Sequence, residues 1–94
     1  MSIRITCINK PDRNSPHEAI RCYGWTEDAT EKNGVTERQI VVGWVKNGVV
    51  AYVQDNLGNR ANCRVNRSVA GTEFLQTYAD GKFTDNLLSL VECR

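Results

Sequence analysis

Apolar and polar residues alternate from the start of the chain: Ile3, Ile5 and Cys7 are separated by Arg4 and Thr6. A period of two sends successive side chains to opposite faces, so this stretch predicts a β-strand with one buried face, Cys7 on the apolar side. Asn9 to Asn14 holds Pro11 among Asn and Asp and predicts a loop, because proline cannot donate to a ladder and Asn and Asp favour turns. Ser15-Pro16-His17-Glu18 has the order of a helix start: a capping hydroxyl, a proline suited to the first turn, and a glutamate that closes a capping box. Ala19, Ile20 and Tyr23 then supply an apolar side and Gly24 a stop, which predicts a helix of about two turns, too short to stand without packing. Residues 26–35 are poor in core-forming side chains and read as an exposed loop.

Thr36-Glu37-Arg38-Gln39 repeats the capping-box order. Ile40, Val41, Trp44 and Val45 follow at helical spacing, and Asn47-Gly48 offers a left-handed stop. The two valines and Gly43 lower helix propensity and keep a strand at 40–46 in competition, but signals at both ends favour a helix. Val49 to Gln54 has strand composition, and Arg60 to Asn66 alternates most clearly of all. The short turn between them predicts an antiparallel hairpin. Glu73 to Tyr78 reads as a further strand, Asp80-Gly81 as a turn, and Leu87, Leu88 and Leu90 as core residues behind a cap at Asp85. The resulting order is β-α-α-β-β-β. It implies an α+β fold, with a small antiparallel sheet of three to four strands and two helices on one face.

Ninety-four residues suit a single domain spanning 1–94. No run of about 18 apolar residues is present, so no membrane span is expected. The alternating start lacks the continuous apolar stretch of a signal peptide, which points to the cytoplasm. In that setting Cys7, Cys22, Cys63 and Cys93 are expected as reduced, mostly buried thiols. The net charge of +1 says little, but its distribution is uneven. Residues 35–67 carry five basic and two acidic side chains, and residues 68–94 carry two basic and four acidic ones. A strong nucleic-acid footprint would be more basic than this.

Tyr78-Ala79-Asp80-Gly81-Lys82-Phe83-Thr84-Asp85-Asn86-Leu87-Leu88-Ser89-Leu90 resembles the C-terminal part of a family of small bacterial and phage proteins known only as a domain of unknown function. Ile5-Thr6-Cys7-Ile8, His17-Glu18-Ala19-Ile20, and Gly48 followed by the strand with Tyr52 share the resemblance, which runs over nearly the whole chain. Its most specific part is Asp-Asn-Leu-Leu-x-Leu. Many members carry Pro after the last Leu, where Val91 stands here. The resemblance implies a small domain of bacterial or phage type, and its occurrence in phages implies an inhibitor or accessory factor of a host complex. It carries over no activity, cofactor or catalytic residue.

The side chains point to binding rather than chemistry. The cysteines and His17 lack the close pairs of a structural zinc site. On a helix His17 and Cys22 would lie about 140° apart, without a nucleophile elbow, so a thiol- or metal-dependent enzyme ranks third. Asp80 and Asp85 each have a local turn or capping role, no Gly-rich phosphate loop occurs, and no cofactor is expected. The candidate surface is the polar strand face Arg60, Asn62, Arg64 and Asn66 with Arg67 beyond it, joined by Tyr52 and Gln54 if the register allows. Arginine pairs with carboxylate or phosphate through two parallel bonds, and Asn, Gln and Tyr can read or stack on bases. Trp25, next to a chain stop, is a candidate interface anchor. The first expectation is a non-enzymatic module, monomer or homodimer, for a protein or nucleoprotein complex. Nucleic acid on the Arg60–Arg64 face is the alternative.

Overall fold

The structure, a computed structural model, describes residues 2–11, 19–54, 57–79, 82–84, 87 and 90–93, with the backbone alone at 79 and 82–84. Seven strands form one sheet: β1 (Ser2–Asn9), β2 (Cys22–Glu27), β3 (Asn33–Glu37), β4 (Val50–Gln54), β5 (Arg60–Arg67), β6 (Glu73–Ala79) and β7 (Lys82–Thr84). Among the described residues there is one α-helix, α1 (Arg38–Lys46), which joins β3 to β4. The spatial order is β3-β2-β1-β4-β5-β6-β7. Every neighbouring pair is antiparallel except β1 and β4, which run parallel from Ser2↔Val50 to Arg4↔Tyr52.

This corrects the expected α+β layout of two helices on a three- to four-stranded sheet: the fold is mostly β. Cys22, Tyr23 and Gly24, assigned to a first helix, open strand β2 instead. Tyr23 and Trp25 face the core while Cys22, Gly24 and Thr26 alternate with them, and that period of two outweighs the helix-stop reading of Gly24. The capping signals at Ser15–Glu18 lie outside the described residues. The segment 26–35 is likewise no plain loop. Its ends belong to β2 and β3, joined through exposed residues in which Glu31 takes a positive φ of 58°. The hairpins β4–β5 and β5–β6 form as expected, with Tyr52↔Asn62 and Asn62↔Tyr78 in register.

Helix α1 wins over the competing strand, but its predicted capping box does not form. Thr36 is already in β3, where its hydroxyl accepts a 2.9 Å bond from Trp25 Nε1, and Glu37 stands at the N-cap without a side-chain bond. The expected stop holds: Asn47 N–H bonds the Gly43 and Trp44 carbonyls, and Gly48 adopts φ 102°. Val41 and Val42 are the buried face of α1.

The sheet curls. The Leu75 N–H on β6 donates to the Tyr23 hydroxyl on β2 at 3.0 Å, although three strands separate β2 and β6 in the sheet order. Inside the curl lie Ile3, Ile5, Ile8, Ile20, Tyr23, Ala51, Val53, Cys63, Leu75 and Leu87, with α1 packed on β2, β3, β5 and β6. The expected core role of Leu87 and Leu90 is met, with Leu87 fully buried and Leu90 partly so; Leu88, Asp80 and Asp85 lie outside the described residues.

The reading of four reduced thiols is also corrected. Cys7 and Cys93 form a disulfide with Cα atoms 5.0 Å apart, while Cys22 and Cys63 remain free. A register shift between Ile5 and Cys7 is the cause. It turns Cys7 away from the apolar face, so that Ile8 rather than Cys7 follows Ile5 into the core. The segment Val91–Cys93 runs parallel to β1 where β4 no longer reaches it: Ile8 N–H donates to Val91 O at 3.0 Å and Cys93 N–H to Ile8 O at 2.9 Å. The disulfide lies directly over Gly24, where a Cβ would run into both sulfurs. Cys63 does follow the expectation: it is buried, and burial pushes its thiol up to about 12.

Candidate binding face

Alternation along β1, β4, β5 and β6 sends Arg4, Tyr52, Gln54, Arg60, Asn62, Arg64, Asn66, Gln76 and Tyr78 to the convex side of the sheet, away from the core. Register sets Arg4, Tyr52, Asn62 and Tyr78 in one row across four strands. Asn62 is exposed at its centre. From the rows on either side, two arginines lean in towards it. The Arg60 guanidinium lies 3.8 Å from the Tyr52 ring centroid, and that of Arg64 4.0 Å from the Tyr78 ring centroid. The result is a near-symmetric array, with Asn62 flanked by two tyrosines and each tyrosine roofed by an arginine.

Asp28, in the β2–β3 connection, fixes one half of the array. Its carboxylate accepts from the Tyr52 hydroxyl at 2.6 Å and from Ser2 Oγ at 3.0 Å, and Arg60 stands 3.7 Å away. These partners hold the Asp28 carboxyl below its usual range, the Tyr52 bond contributing most. Burial, then the bond to Asp28, pushes the Tyr52 phenol up, so it stays a neutral donor. Arg64 has no acidic partner within ion-pair distance among the described residues. Asn66 donates to Gln76 Oε1 at 3.0 Å, which orders the adjoining row.

The sequence-predicted residues therefore divide. Tyr52, Gln54, Arg60, Asn62 and Arg64 share the convex face. Tyr52 is only 3% exposed, under Arg60, so its ring offers no open stacking surface. Arg67 stands on the opposite side at the end of β5, in a 3.4 Å ion pair with Glu73, which also pairs with Lys46 at 2.6 Å. Trp25 faces the core side, edge-on to Trp44 at 5.6 Å between centroids and bonded to Thr36. Arg4, Asp28 and Tyr78 were missed. The period of β6 marks the side Tyr78 takes once its register to β5 is known, whereas Asp28 arrives through a chain reversal with no signal in its neighbours.

A cavity of about 440 Å³ lies between the start of α1 and the β5–β6 turn, lined by Arg38, Gln39, Val42, Ala70, Gly71, Thr72 and Glu73. Arg38 is committed there to the Ile20 carbonyl at 2.9 Å, and Glu73 is held below its usual range mainly by Lys46. Among the described residues, no group of three or more His, Cys, Asp or Glu side chains is placed to hold a metal ion, and no helix is long and apolar enough to cross a membrane. His17 lies outside the described residues.

The model of a protein family described as a protein of unknown function (DUF3892) matches residues 4–91, and the chain belongs to that family. No curated protein and no solved structure matches it.

Proposed function

We propose that this member of the family is a non-enzymatic binding module, and that it docks an acidic protein surface, alone or within a nucleoprotein complex, on the convex face of its sheet. The observation that carries the reading is the array itself: Arg60 and Arg64 held over Tyr52 and Tyr78, with exposed Asn62 between them. A guanidinium already seated on a ring has less freedom to lose on binding, and it still presents paired donors to a carboxylate. Protein is favoured over single-stranded nucleic acid because both rings are roofed and Tyr52 is buried, which removes the open aromatic platform that base stacking uses.

The test is a tagged pull-down from a bacterial lysate at low and moderate salt, comparing the wild type with Arg64→Ala and Asn62→Ala. A stoichiometric protein that survives moderate salt with the wild type and is lost with Arg64→Ala is the expected result. Truncating a central arginine should cost about 2 kcal/mol, or roughly thirtyfold in affinity. Nucleic acid that elutes as salt rises, with no protein enriched, replaces the protein reading with the nucleic-acid one. Capture unaffected by both substitutions removes the convex face from the argument.

A further inference from the structure

We infer that the Cys7–Cys93 disulfide is a reversible latch, and that a dithiol reductant opens it to release the segment Val91–Cys93 from β1. The inference stands independently of what the convex face binds. Three observations converge on it. First, the covalent link joins two cysteines that are only partly buried, whereas Cys63 is buried in the core. A reductant can reach the former without unfolding the protein, and a thiol raised to about 12 by burial takes no part in exchange.

Second, little else among the described residues holds the segment. Val91 is 71% exposed and Glu92 is exposed, so the side chains contribute little burial. The backbone contributes the two bonds that exchange with Ile8. Third, the rest of the sheet does not depend on the link. β1 is paired with β2 from Ile3 to Asn9, apart from the shift at Thr6, and with β4 through Ser2, Ile3 and Arg4, and the core beneath is closed by Ile3, Ile5, Ile8 and Leu87. Opening therefore uncovers one stretch of edge, the N–H and C=O of Ile8, and the convex surface over Gly24, while the fold persists.

The chemistry balances as thiol–disulfide exchange. A thiolate of the dithiol attacks one sulfur of the pair, forming a mixed disulfide and releasing the other cysteine as a thiolate that takes up a proton. The second thiol of the reductant then displaces the first cysteine. The protein gains two electrons and two protons, and the dithiol becomes a cyclic disulfide. Cys22 stands two residues from Gly24 on the same side of β2, so the opened site presents three thiols on one surface.

Hydrogen exchange on the full chain tests this, with the protein air-oxidised and then treated with dithiothreitol under native conditions. In parallel, maleimide labelling and mass analysis count the free thiols. The oxidised protein should show Cys7 and Cys93 protected from label, and reduction should make both reactive. Exchange at the Ile8 and Cys93 amides should then quicken about tenfold or more beyond any change at Val65 and Leu75 on β5 and β6, which stay protected at the level set by global unfolding. Cys7→Ser/Cys93→Ser should show the fast Ile8 amide with and without reductant. Three results overturn the latch: no Cys7–Cys93 linkage in the oxidised protein, an Ile8 amide that does not respond to reduction, or loss of protection throughout the sheet on reduction.

Discussion

Tyr23→Phe tests the curl of the sheet with the least disturbance to packing. The substitution keeps the ring, which is fully buried, and removes only the hydroxyl that accepts from the Leu75 N–H at 3.0 Å. Leu75 is itself fully buried, so water cannot replace the lost acceptor unless the sheet opens. A buried amide left without a partner costs about 1–3 kcal/mol. With a urea slope of about 1 kcal/mol per M for a small domain, the midpoint should fall by roughly 1–3 M. The melting temperature should fall by about 4–8 °C for each kcal/mol. Urea unfolding followed by the fluorescence of Trp25 and Trp44 measures the loss, and exchange at the Leu75 amide locates it. A midpoint shift below about 0.3 M at unchanged slope, with Leu75 still protected, would show that the β2–β6 bond contributes nothing net and refute the reasoning.

Gly24→Ala should abolish the Cys7–Cys93 link, detected as two additional alkylatable thiols. It should destabilise the chain by about 2–5 kcal/mol, the usual cost of losing a native disulfide. A strand glycine replaced by alanine without a clash would gain about 0.5–1 kcal/mol instead, so the sign decides. Because Tyr52, Ser2 and Arg60 depress the Asp28 carboxyl in the folded state, its contribution is complete above the unfolded value of about 3.9 and is lost as pH falls through the lower folded value. Asp28→Asn should therefore flatten the acid limb of a stability–pH profile and leave the neutral region level, with Glu73→Gln removing a second component in the same window. Lys46→Ala breaks a half-exposed ion pair and should leave the urea midpoint almost unmoved.

The strands whose side chains alternate without interruption were legible. Val50–Gln54, Arg60–Arg67 and Glu73–Ala79 could be read from composition and period, and with them the shared face of Tyr52, Arg60, Asn62 and Arg64. Two features defeated the reading. Gly24 resembled a helix stop because its true reason, the sulfurs packed on it, comes from Cys7 and from Cys93 at the far end of the chain. The shift after Ile5 reversed the facing of Cys7, and no pattern within one strand shows which residue a neighbour will skip. The face was found, but its order was not: that Arg60 roofs Tyr52 depends on Asp28, brought in by the β2–β3 turn.

The parallel seam between β1 and β4 has a consequence for how the chain folds. β1, β2 and β3 form one antiparallel meander and β4 to β7 another, joined in the sheet, among the described residues, by three residue pairs from Ser2↔Val50 to Arg4↔Tyr52. Arg67 and Glu73 close a loop of 6 positions (73 − 67), whereas Ile3 and Ala51 close one of 48 (51 − 3). Three doublings in length add about 1.8 kcal/mol of closure entropy, at about 0.6 kcal/mol per doubling. Either meander can nucleate from its own turns, and the seam has to wait until both edges exist. The folding barrier should therefore respond weakly to truncation at Ala51 and strongly to truncation at Val65 or Leu75, which makes docking of the two halves the last event before the native state.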